Sequence, residues 1–141
     1  IYAHSVAHHF KHFDVFLKSC LNCLKEGGVM ITFDPLETYL PMYALRKLYR
    51  PFQSDKDWEY PFSKKSIKLI KKHFQILNIM GIMRKVKFAA LLYFFNNRLG
   101  VKYGDRLFEY DKKLASKEGL SLYNCLQISM HLRKNTIHNN E

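Results

Sequence analysis

The sequence predicts an α/β fold organised around a parallel βαβ crossover. Three observations predict it: an apolar ending at Ile1-Tyr2-Ala3, an amphipathic stretch from about His9 to Lys25, and the β-branched run Val29-Met30-Ile31-Thr32-Phe33. Two parallel strands need a crossover connection between them, and it is right-handed in nearly every known case.

Each element has its own justification. Phe10, Phe13, Leu17, Leu21 and Leu24 recur at three- and four-residue spacing and share one helix face. Gly27-Gly28 comes next, as expected where a chain leaves a helix through a left-handed residue. The run from Val29 to Phe33 is almost wholly apolar, which suits a strand covered on both faces, and Asp34-Pro35 ends it because proline has no N–H for a ladder. Pro41 to Tyr49 reads as a helix with proline in its first turn. Residues 50–62, with Pro51, Pro61 and several charges, read as a long loop of the kind that often serves as a lid. Ser63 is placed to cap a helix reaching about His73, and Phe74 to Ile82 reads as a strand. Phe88, Leu91, Leu92 and Phe95 predict a helix over 86–99 that Gly100 would stop, with another from Asp105 to Ala115. Leu122 to Arg133 alternates loosely as a final strand, and 135–141 is a polar tail expected to fray.

The bulk numbers narrow the function classes. A chain of 141 residues, 48% hydrophobic and 15% aromatic, can build one modest domain with a core and is too aromatic for disorder. Its longest apolar run, Phe88 to Phe95, is less than half the ~20 residues needed to span a bilayer, and no secretory signal is visible. The odd cysteine count (Cys20, Cys23, Cys125) makes no disulfide framework and suits a reducing, cytoplasmic setting. The chain starts with isoleucine at what reads as a strand's end, which suggests a fragment or a processed piece. Residues 1–62 balance seven basic against seven acidic side chains, whereas 63–141 hold sixteen basic and five acidic ones. A field of that sign attracts nucleic acid, anionic lipid or an acidic substrate. It equally reflects a Lys- and Asn-rich composition, or an acidic half elsewhere.

The segments Ile1 to His9, Leu24 to Ile31 and Asp34-Pro35-Leu36 with Leu48 to Asp55, taken in that order and spacing, resemble the class I S-adenosylmethionine-dependent methyltransferases of the small-molecule, methyltransferase type 11-like kind. The opening Ile1-Tyr2-Ala3-His4-Ser5-Val6-Ala7-His8-His9 is similar to that family's fourth strand and its adjoining loop. Leu24-Lys25-Glu26-Gly27-Gly28-Val29-Met30-Ile31 resembles the glycine-pair approach to its fifth strand. Asp34-Pro35-Leu36, with Leu48 to Asp55, resembles the region after that strand in one bacterial subgroup. The likeness covers residues 1–83 and loosens beyond them. It implies a three-layer αβα Rossmann-like fold with sheet order 3-2-1-4-5-7-6 and an antiparallel last strand, of which residues 1–134 would supply strands 4, 5, 6 and 7. Residues 84–117 would be a helical insertion or lid. The six glycines contain no G-x-G-x-x-G, so the main cofactor loop would belong to another half of the domain, and this stretch alone is expected to be inactive.

The implied reaction is methyl transfer from S-adenosyl-L-methionine to a small-molecule acceptor, an in-line displacement that needs alignment and, for a protonated acceptor, a base. Ligands of open α/β sheets sit outside the carboxyl ends of the strands. His8, His9 and Asp34 lie there and are the candidate catalytic groups. The resemblance implies that Ala3, His4, Ser5 and Val6 line the methionine part of the cofactor. Pro35, Thr38 and Trp58 are the candidate acceptor contacts. Against these roles, His8 equally suits capping or packing its helix, and Asp34 ordering the turn at Pro35. His8 and His12 share a helix face without a third ligand, and Cys20-x-x-Cys23 has no second pair, so no metal is expected. The aromatic stripe Phe88 to Phe95 suits core packing, a substrate lid or a membrane surface. Residues 63–117 are the alternative binding surface, for nucleic acid or anionic membrane. No nucleic-acid-binding motif is present, so the partners expected are the acceptor and at most a weak contact with an anionic surface.

Overall fold

In the computed structural model, which describes residues 1–114 and 122–135, two parallel strands open the chain around a helix. β1 (Tyr2–His4) pairs with β2 (Val29–Pro35) in the register Tyr2 to Ile31 and His4 to Phe33, and α1 (Phe13–Cys23) makes the crossover. A short 3₁₀ turn at Ala7–His9 precedes α1, so the helix starts four residues later than the apolar spacing suggested. Gly27 adopts φ 68°, the left-handed conformation expected after the helix. The α1 terminus is also held from across the sheet, where the Lys134 ammonium donates to the carbonyls of Leu21 and Leu24 at 2.8 and 2.9 Å.

The remaining elements are α2 (Leu40–Tyr49), α3 (Lys64–His73), β3 (Phe74–Ile82), α4 (Lys87–Phe95), α5 (Asn97–Leu114) and β4 (Gln127–Lys134). Ser63 caps α3 in a reciprocal capping box with Ser66. The four strands form one open, mixed sheet in the order β1-β2-β4-β3, with β4 antiparallel to both neighbours. The loop over 50–62 contains a 3₁₀ turn at Arg50–Phe52 and returns to the sheet through a bridge between Leu36 and Phe62.

One face of the sheet carries the core. Met30, Thr32 and Asp34 stand opposite Leu132, Met130 and Ile128, and all six are at most 1% exposed. Leu17, Cys20 and Leu24 from the α1 region and Ile67 and Ile70 from α3 close over them. The other face departs from the expectation for β2. Val29 and Ile31 remain 39% and 38% exposed, so this strand is covered on one side only, and the described residues lay no second helical layer there. An apolar run therefore signalled strand without signalling how many faces are covered.

The helical segment between β3 and β4 is also rearranged. Asn96, not Gly100, ends the first helix, and Gly100 lies inside α5, which begins at Asn97 rather than Asp105. Gly100 meets Tyr93 and Gly104 meets Ala89, so α4 and α5 run antiparallel as a close hairpin. At its base the buried Asp111 carboxylate accepts from the backbone N–H groups of Lys85 and Val86 at 2.8 to 2.9 Å. That carboxylate satisfies orphan donors at the α4 N-terminus, as a cap from its own sequence would. The expected end of this helix at Ala115, and the tail beyond Asn135, lie outside the described residues.

Candidate active site

Because β1 and β2 are parallel, their carboxyl ends open at the same edge of the sheet. Ser5 turns the chain there with φ 53°, a conformation uncommon for a residue other than glycine, and its N–H donates to the Phe33 carbonyl at 2.8 Å. The turn carries Ala7–His9 across the end of β2. Strict alternation from Met30 through Thr32 points Asp34 toward the helix-covered face, and His8 arrives above it.

The His8–Asp34 pair is close and dry. Asp34 Oδ1 accepts from the His8 backbone N–H at 3.1 Å and lies 2.9 Å from His8 Nδ1. His8 is 5% exposed and Asp34 fully buried. With Nδ1 as donor to the carboxylate, the lone pair of the imidazole resides on Nε2, the arrangement that lets a histidine accept a proton. The other carboxylate oxygen, Oδ2, and the hydroxyl of the neighbouring Thr32 are buried without a hydrogen-bond partner. That leaves unmet polar capacity beside the pair, which is costly in a dry interior.

The other candidates disperse around this centre. His9 turns its Nδ1 to the Trp58 carbonyl at 2.9 Å, and the Tyr60 N–H donates to the His8 carbonyl at 2.6 Å. The loop over 50–62 is thus fastened onto His8 and His9 by its backbone, while Trp58 itself is 63% exposed. Pro35 ends β2, its carbonyl accepting from the Phe62 N–H at 2.8 Å. Ala3 is buried opposite Thr32, Val6 is 44% exposed, and the His4 ring lies flat on Phe33 with centroids 4.8 Å apart. Thr38 stands apart, in a cleft of about 580 Å³ beyond the end of β2, lined also by Tyr39, Tyr43, Tyr123 and Asn124. Its hydroxyl donates to the Tyr123 carbonyl at 2.8 Å, tying the two sides of that cleft together. His8 and Asp34 do not line this cleft. Among the described residues no group of three His, Cys, Asp or Glu side chains is placed to hold a metal ion.

Lys87 is a residue that sequence reasoning missed. It sits in a basic stretch beside the aromatic run, yet it is 8% exposed, with Nζ 2.5 Å from the Asn124 carbonyl and 3.3 Å from the centre of the Tyr39 ring. Both partners line the Thr38 cleft, so Lys87 braces its wall from α4. Burial lowers its pKa below the ordinary lysine value; Cys125 and Asp111 oppose that shift and Arg84 adds to it. Between the lowered folded value and the ordinary value near ~10.4, the unfolded chain binds more protons, so stability rises with pH across that window. Comparing urea midpoints of the wild type and Lys87→Met from neutral pH upward, the difference is expected to move in favour of the wild type. A flat difference would contradict the assignment.

No family model matches the chain, and no curated protein matches it. Among solved structures, one described as "Crystal structure of MccD protein" superposes with a TM-score of 0.44 and 11% identity. The superposition covers 95% of this chain and 60% of the other, so the chain spans less than two thirds of that structure.

Proposed function

We propose that this chain is the acceptor-side half of a class I methyltransferase domain that transfers a methyl group from S-adenosyl-L-methionine to a small molecule. The observation that carries this reading is the sheet. An order β1-β2-β4-β3 with β4 antiparallel is what strands 4-5-7-6 of the resembled family would give. The site lies where such a sheet places its chemistry, at the carboxyl ends of β1 and β2.

At the end of β1, where this reading puts the methionine portion of the cofactor, Val6 is 44% exposed and Ser5 makes a left-handed turn. No glycine-rich turn lies nearby for the rest of the molecule. When bound, the sulfonium supplies an electrophilic methyl group. In this reading Asp34 orients the His8 imidazole and His8 holds the proton from an apolar or carbonyl-bearing acceptor at Nε2, at the carboxyl ends of β1 and β2 rather than in the separate cleft around Thr38. The test is calorimetric titration of S-adenosylhomocysteine into the longer polypeptide that includes the coding sequence upstream of Ile1. Micromolar binding is expected, weakened at least about tenfold by Ser5→Trp if the methionine portion rests against this turn. Absence of binding overturns the reading.

A further inference from the structure

We propose that the tip of the α4–α5 hairpin is a membrane-interface anchor that seats on anionic lipid. The hairpin exposes what a soluble surface normally hides. Phe94 and Phe95 are each 90% exposed at the turn, Tyr93 is 51% exposed, and Leu99 and Val101 beyond it are 41% and 61% exposed. These residues flank Asn96 in the chain, where one helix ends and the next begins. Adjacent bulky apolar groups projecting from a tight helical turn form a wedge, and a wedge with no protein against it fits the headgroup–acyl boundary of a bilayer.

Charge selects the partner. No Asp or Glu occurs between Glu59 and Asp105, whereas Arg84, Lys85, Lys87, Arg98 and Lys102 all fall between Ile82 and Tyr103. Lys87 is buried and engaged with Asn124, so along the chain Arg98 and Lys102 are the cations nearest Phe94 and Phe95, with Arg106 next and Asp105 and Glu109 as the first opposing charges. Exposed phenylalanine beside cations also suits single-stranded nucleic acid, where rings stack on bases. Leu99 and Val101 argue against that, because aliphatic groups offer bases no stacking face but do partition into a bilayer. No helix among the described residues is long and apolar enough to cross a membrane, so the contact is interfacial. The hairpin adjoins β3, at the opposite edge of the sheet from β1, and the proposal does not depend on methyl transfer.

The experiment is co-sedimentation of the 141-residue chain with vesicles of phosphatidylcholine alone and with about one-third phosphatidylglycerol. Binding to the anionic vesicles is expected to exceed binding to the neutral ones at least about tenfold and to weaken with salt. Phe94→Ser with Phe95→Ser should reduce it at least about tenfold, and Arg98→Glu with Lys102→Glu should remove the lipid preference. Because these side chains are so exposed, thermal unfolding should be unchanged in both pairs. As an independent readout, Phe95→Trp in a Trp58→Phe background should shift its emission to the blue on anionic vesicles and be quenched by brominated acyl chains. Vesicle binding that is absent, or that survives loss of both phenylalanines, overturns the proposal. So does heparin retention without vesicle binding, which would assign the tip to nucleic acid. A dimer dispersed by the phenylalanine substitutions, again without vesicle binding, would overturn it in favour of self-association.

Discussion

Asp34→Ala is expected to destabilise the chain by about 2 kcal/mol or more, because each buried donor left without its acceptor costs about 1 to 3 kcal/mol. The loss has three sources. The His8 backbone N–H and its Nδ1 both lose the acceptor they share, and neither can reach water. The vacated space faces Ile128 in a fully buried layer that has no solvent to fill it. The turn at Ser5–His9, set in part by the left-handed Ser5, loses the contact that fixes it over β2. Urea unfolding monitored by circular dichroism measures the change.

Substitution by asparagine separates packing from charge. Asp34→Asn keeps the shape and one accepting oxygen, so it should retain most of the stability, with a loss nearer ~1 kcal/mol. A double-mutant cycle of Asp34→Asn with His8→Phe should show a coupling of about 1 kcal/mol or more, as contacting residues in one hydrogen-bonded unit do. Additive losses would mean that the 2.9 Å contact contributes little. If the pair also serves methyl transfer, Asp34→Asn in the longer polypeptide should lower kcat while leaving the binding of S-adenosylhomocysteine unchanged. A pair that only stabilises the fold would leave kcat at its wild-type value.

That pair shows how far the sequence could be read. His8 and Asp34 were both selectable from their positions after the two strands, because the crossover from Tyr2 to Pro35 is signalled by apolar periodicity and two glycines. Their direct contact was not legible. It depends on a 3₁₀ turn that no spacing announces, and on Asp34 pointing inward when an acid before proline ordinarily marks a solvated turn. The capping serine at position 63 and strand β3 were legible to the residue, since both rest on local rules. Lys87 was not, because a lysine's burial is decided by distant elements, here Tyr39 and Asn124. The misread helix boundary at Gly100 has the same origin. Glycine ordinarily stops a helix, but a neighbouring helix packed against its bare Cα can make it indispensable inside one.

Gly100→Ala and Gly104→Ala should therefore shift stability in opposite directions, although both lie in α5. A Cβ at Gly100 would fall 2.4 to 2.6 Å from the Cα, Cβ and N of Tyr93, atoms of a backbone that cannot yield without moving α4. Overpacking of that kind costs roughly 1 to 3 kcal/mol, against which alanine's better helix propensity returns at most about 1. A Cβ at Gly104 meets only the Ala89 Cβ at 3.8 Å, ordinary van der Waals contact, so there the propensity gain of up to about 1 kcal/mol stands alone. Urea midpoints should fall for the first variant and rise for the second. If both rise, α4 and α5 do not pack at Gly100 as closely as the 2.4 Å approach requires. The first variant has a second consequence. Gly100 sits within a few residues of Phe94, Phe95 and Val101, so helices forced apart at that point would no longer hold the apolar tip as one wedge. Vesicle binding should then fall together with stability in Gly100→Ala and remain at the wild-type level in Gly104→Ala, which links the close helix crossing to the surface it presents.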